Sequence, residues 1–134
     1  MNKIKYFLFA LITFIFFIST SLSASNININ KAYQSKQSDI QVEGIGKVIK
    51  VLKDDTKGSQ HQRFLIKLPS NLTILLAHNI DLSPRVANLK VGDKIEFYGE
   101  YEWNNKGGVI HWTHHDPRKK HKDGWIKHDG EIYQ

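Results

Sequence analysis

Seven histidines, His61, His78, His111, His114, His115, His121 and His128, are the residues of this chain best equipped for chemistry. Neutral imidazole is a common ligand of zinc, copper and nickel, and Asp81 or Asp116 could complete such a site. Spacing constrains the geometry. On an extended strand His111 and His115 share a face but stand roughly 13 Å apart at ~3.3 Å rise per residue, too far to hold one ion. His111 and His114 point to opposite faces. A divalent metal, zinc or another, held by His111, His114, His115 and His121 therefore requires a bend at His114-His115-Asp116. That bend would bring His121 or His78 into reach, and the Asp116-Pro117 step permits it. The competing expectation is that these rings serve only as hydrogen-bonding groups at the mouth of the fold and in loop caps.

Paired acids give a second candidate. Asp54 and Asp55 stand just before His61-Gln62-Arg63, and acids with an arginine could hold a divalent ion and neutralise a phosphodiester. The segment Asn79-Ile80-Asp81-Leu82-Ser83-Pro84 faintly resembles the Ile-Asp-x-Pro turn of thermonuclease-type OB enzymes. An extra residue separates Asp81 from Pro84, however, Arg85 replaces the family's glutamate, and Leu76 stands where its strand arginine would be. The expected base and phosphate clamp are thus missing, and Asp54-Asp55 reads equally as a turn whose carboxylates cap backbone N–H groups. There is no cysteine. No serine sits in a nucleophile elbow, and Gly44-Ile45-Gly46 lacks the third glycine and following helix of a dinucleotide fingerprint.

Aromatic residues are the third constellation, concentrated between Tyr98 and Pro117. Phe97, Tyr98, Tyr101, Trp103, Trp112 and Trp125 could form a stacking platform flanked by Lys106, Arg118, Lys119 and Lys120. Each base stacked on such a surface contributes ~1–3 kcal/mol. Alternatively, Trp103 and Trp112 pack on each other across a hairpin. The basic run Arg118, Lys119, Lys120, Lys122 and Lys127 can meet phosphate, anionic lipid or acidic glycan, or act as a solvated tail.

These groups must be positioned by a small fold. Lys3 and Lys5, the apolar run Tyr6 to Ile18 and the small residues Ser19 to Ser25 read as an export signal over 1–24, cleaved near Ala24. The run is short of the ~20 residues of a membrane span, so no stable span is expected after cleavage. About 110 residues of the 134 remain, enough for one domain. Loss of Lys3 and Lys5 takes the formal charge from +6 to +4. Residues 25–39 read as a polar linker with a marginal helical turn, their apolar content too low for a core helix. Strands are expected from Ile40, with Gly44 and Gly46 marking a bulge or sharp coil, then at Gln62–Leu68, Thr73–His78, Lys94–Trp103 and Val109–His114. A terminal hairpin turns at Asp129-Gly130. The pattern predicts an all-β, five-stranded OB-like barrel over 40–134, with a polar C-terminal extension; an SH3-like barrel is the rival.

The strings DDTKGSQHQRFLIKL, LLAHNIDLSPRV, LKVGDKIEFYGEYEWNNKGGVIHWTHHDP and GWIKHDG resemble an uncharacterised family of small exported bacterial proteins, a domain of unknown function. The similarity covers about residues 38 to 134. It implies an OB-type fold and an exported location, and it assigns no functional residue.

The expected protein is a monomeric binding module of the bacterial envelope, periplasmic or extracellular. Its face would comprise His61, Arg63, His78, Trp103, His111, Trp112, His114 and His115. The export signal disfavours cytoplasmic nucleic acid, leaving a small molecule, glycan or anionic polymer. The alternative is a histidine-based metal-binding protein or a metal-dependent hydrolase.

Overall fold

The computed structural model of the chain describes residue 26 and residues 28–134. The expected export signal lies outside the described residues. Among the described residues, no helix is long and apolar enough to cross a membrane.

Alternating side chains build the barrel. β1 (Ile40–Val51), β2 (His61–Lys67), β3 (Thr73–Asn79), β4 (Lys94–Glu102) and β5 (Val109–His111) send every second residue inward. Phe64, Ile66, Ile74, Leu76, Ile95, Phe97, Tyr101 and Ile110 fill the interior. The strand order is β1-β2-β3-β5-β4, and β4 returns to pair with β1, closing the ring. β3 and β5 run parallel while the other barrel pairs are antiparallel. This is the expected five-stranded OB-like barrel. β6 (Trp125–His128) and β7 (Glu131–Tyr133) form the C-terminal hairpin, turning at Asp129-Gly130, and β6 joins β4 beside β5.

Two local expectations need correction. The irregularity in β1 falls between Val48 and Lys50, where the register with β2 slips, and not at Gly44 or Gly46. Gly44 instead provides close approach. A Cβ there would lie 2.6 Å from Phe97 Cζ and 2.8 Å from both Asn26 Oδ1 and Ile29 Cδ1. The fifth strand also ends early, at His111, because Trp112 takes a left-handed backbone (φ 57°).

The segment expected as a linker belongs to the core. A short helix, α1, covers 28–34 and buries Ile29 and Ala32, spaced one turn apart, against the barrel. Full burial of a side chain such as Ile29 contributes about 1.5–3 kcal/mol. Two inward residues suffice because the strands supply the opposing surface. The helix ends in a reciprocal backbone pair, Gln37 N–H to Ala32 C=O at 2.9 Å and Lys36 N–H to Tyr33 C=O at 3.2 Å, with Lys36 left-handed. Trp103 clasps this end by donating Nε1–H to the Tyr33 carbonyl at 3.1 Å, and the Lys36 ammonium lies over its ring. Asn26 Oδ1 accepts the Ile45 amide at 3.0 Å.

The Gly44 contacts generate a prediction. Gly44→Ala forces Phe97, Asn26 or Ile29 to move, and overpacking of this kind costs about 1–3 kcal/mol. Urea unfolding should show a lower midpoint with an unchanged slope. An unaltered midpoint would mean that α1 is not packed on β1.

Candidate functional site

The site begins in the β4–β5 hairpin. The Asn104–Gly108 turn sets the register, placing Glu100 opposite His111 and Glu102 opposite Val109. Period-2 alternation puts Glu100, Glu102 and His111 on one outer face. His111 Nε2 lies 3.2 Å from Glu100 Oε2 and 3.3 Å from Glu102 Oε1. That nitrogen is sealed from water, yet neither carboxylate oxygen meets it in hydrogen-bonding geometry.

Beyond His111 the chain turns at Trp112 and enters a loop organised by one carboxylate. Asp116 accepts amide hydrogen bonds from Arg118, Lys120 and His121 at 2.9, 2.9 and 2.7 Å. These amides hold its carboxyl below the usual carboxylate range. Asp116 is therefore the anchor of the loop, not an available ligand. The anchored loop delivers His121 onto Trp112, the rings stacked at 4.0 Å and 7°. His121 Nδ1 lies 2.8 Å from the Lys122 carbonyl and donates to it, while Nε2 stands 3.4 Å from Glu100 Oε1. Gly124 closes the loop. A Cβ there would strike the carbonyl of Trp112 and lie 2.5 Å from that of Tyr98.

Beside this cluster, His61, Asn79, Leu82, His111, Trp112 and His114 line a cleft of about 180 Å³. The cleft joins β2, the end of β3, β5 and the loop after β5. His61 Nδ1 lies 2.9 Å from the Ser59 carbonyl, and His114 Nδ1 lies 2.7 Å from the His115 carbonyl. A carbonyl can only accept, so Nδ1 carries a hydrogen in both rings, and in the neutral ring Nε2 carries the lone pair.

Other expected site residues lie elsewhere. His78 points into the barrel, fully buried. One ring nitrogen meets Thr113 Oγ1 at 2.8 Å and the other donates to the Pro84 carbonyl at 2.9 Å. Both nitrogens are spent, so His78 is a core residue and no ligand. Trp103 grips α1 and does not pack on Trp112. His115 is exposed and outside both the cleft and the Glu100 cluster. Arg63 donates from Nε and Nη2 to the Lys53 carbonyl at 3.1 and 3.0 Å. Arg118, Lys119, Lys120, Lys122 and Lys127 are exposed to solvent.

The acids proposed for phosphodiester chemistry are dispersed. Asp54 pairs with Arg85, which lowers its pKa through their hydrogen bond. Asp55 Oδ1 accepts the Lys57 amide at 3.0 Å, and Asp81 Oδ2 accepts the Gln60 amide at 2.9 Å. Among the described residues, neither group that gathers three possible metal-binding side chains includes any of these three acids.

Glu100 and Glu102 were missed by sequence reasoning centred on histidines. The signal was present: folding the tract about Asn104–Gly108 sets Glu100 against His111 on one face. His121 could not be placed so, because the turn at Trp112 and the Asp116 loop are tertiary features.

Comparison with known families gives one assignment. Residues 11–134 match the family described as "Protein of unknown function (DUF3465)", and the chain belongs to that family. No curated protein matches the sequence.

The environment of His78 makes stability pH-dependent. Burial pushes its pKa from 6.5 down to about 4. Between these values the unfolded chain takes up a proton that the folded barrel refuses, so stability present above 6.5 is lost as pH falls toward 4. The loss is on the order of 3 kcal/mol. Urea titrations across this window should show that loss, flattened in His78→Gln, whose amide can meet both Thr113 and Pro84. An equal slope in the variant would place the effect elsewhere.

Proposed function

We propose that this protein is an exported, non-catalytic binding module whose OB-like barrel takes a small hydroxyl-rich ligand, such as one sugar unit of an envelope glycan. The cleft carries this reading, because it brings His61, His111, Trp112 and His114 together from separate parts of the chain. The Nε2 lone pairs of His61 and His114 accept hydrogen bonds from hydroxyl groups. Leu82 and Trp112 offer apolar surface to the C–H face of a ring. At about 180 Å³ the cleft suits a single ring more than an oligomer.

A flat stacking platform has less support. One face of Trp112 already carries His121, and Trp103 is committed to α1. The hydrolase reading has less still, since Asp54, Asp55 and Arg63 have local partners. The expectation of export rests on the amino-terminal run of Lys3, Lys5 and Tyr6 to Ile18.

Titration of isotope-labelled protein with mono- and oligosaccharides, followed by amide and imidazole NMR shifts, tests the reading. Shifts should concentrate at His61, Asn79, Trp112 and His114. His61→Ala should weaken binding by tenfold or more without unfolding the barrel, because His61 lies at the barrel surface. Shifts absent across the series, or unaffected by His61→Ala, would overturn the proposal.

A further inference from the structure

We infer that Glu100, Glu102 and His111 form a binding site for one divalent transition-metal ion of the zinc class. The inference goes beyond the sugar reading and stands without it.

The distances carry the argument. A charge-assisted hydrogen bond between an imidazole and a carboxylate closes to about 2.7–2.9 Å. The protein contains such a bond elsewhere: His128 Nε2 meets Asp93 Oδ2 at 2.7 Å. That pair is direct and leaves no room for an ion between its atoms. The Glu100 cluster is different. Its nitrogen–oxygen separations are 3.2, 3.3 and 3.4 Å, and His111 Nε2 has no hydrogen-bond partner although it is sealed from water. Donors at ~2.0–2.1 Å from a tetrahedral zinc ion stand about 3.3 Å from each other. The three donor atoms of Glu100, Glu102 and His111 all lie within 4.8 Å of one another, which a small rotation of the exposed Glu102 can tighten.

Donor chemistry points the same way. The Lys122 carbonyl holds the hydrogen of His121 on Nδ1, so in the neutral ring Nε2 is an acceptor facing the carboxylate Glu100, itself an acceptor. No hydrogen bond then ties Glu100 to His121, which leaves its carboxylate free for a cation. Glu100 offers Oε2 toward His111 and Oε1 toward His121. Trp112 and the Asp116 loop hold His121 in place beside Glu100. Two carboxylates neutralise a divalent charge, and the imidazole favours zinc, copper or nickel over calcium and magnesium. Three protein donors leave one position for water or a further ligand.

The test uses untagged protein produced from the full chain, freed of metal by chelation and titrated with Zn²⁺ by calorimetry. One equivalent should bind, and Ca²⁺ and Mg²⁺ should not compete at equal concentration. Glu102→Gln is nearly isosteric and exposed, so the fold should survive, as a retained amide NMR spectrum would verify; Zn²⁺ affinity should fall tenfold or more. Glu100→Gln should have at least that effect. Co²⁺ in place of Zn²⁺ should give the intense visible absorption of a four-coordinate site and shift the His111 ring resonances.

His61→Ala, at the cleft, should leave Zn²⁺ affinity within twofold, so failure of the sugar reading and failure of this one are separable. Absence of Zn²⁺ binding at sub-millimolar metal would overturn the inference. Binding that survives both glutamate substitutions, or is lost with His61→Ala instead, would overturn it as well.

Discussion

The antiparallel ladder between β1 and β4, eight consecutive pairs from Ile40↔Tyr101 to Lys47↔Lys94, is the constraint on which the remaining structure depends. It occupies one edge of β4 and leaves the other to be shared. β5 takes Glu100–Glu102 on that second edge and β6 takes Glu96–Tyr98. Between them, at Gly99, the chain from Trp112 to Gly124 is squeezed in. The glutamate cluster follows from this division, because β4 carries Glu100 and Glu102, β5 brings His111, and the loop after β5 brings Trp112 and His121.

A second regularity is the way the barrel treats its imidazoles. His61, His114 and His121 each give Nδ1–H to a nearby main-chain carbonyl. The backbone thus selects one tautomer three times and leaves Nε2 as the available nitrogen. His78 and His128 are handled oppositely. Their bonds to Thr113, Pro84 and Asp93 tie separate segments together. Among these histidines, then, a division appears between rings that fasten separate segments of the fold and rings bonded only to a carbonyl one or two residues away. Composition alone shows seven similar residues; only partner geometry separates the two groups.

Much of the architecture was legible in the sequence. Alternation of Phe64 and Ile66, of Ile74 and Leu76, and of Ile95 and Phe97 directly encodes strands with one buried face, and the Asp129-Gly130 hairpin is local turn chemistry. The failures share a physical cause. α1 looked too polar for the core because Ile29 and Ala32 need only two positions when a barrel end supplies their partners. Early termination of β5 depends on Trp112 adopting a left-handed backbone, which no aromatic residue announces. His78 looked like a site residue because its type is polar; a pocket holding both Thr113 and the Pro84 carbonyl is invisible until the strands are assembled. Clustering of Glu100 with His111 was readable from hairpin register, whereas the arrival of His121 was not.

Closure of the ring also has a temporal meaning. Ile40 and Tyr101 pair across 61 positions of chain (101 minus 40), so the ladder cannot form until distant segments meet by diffusion. Topologies dominated by such pairings fold in milliseconds to seconds, far more slowly than helical bundles of equal length. The polypeptide therefore stays open while its first three strands emerge and locks only after β4 has arrived to meet β1.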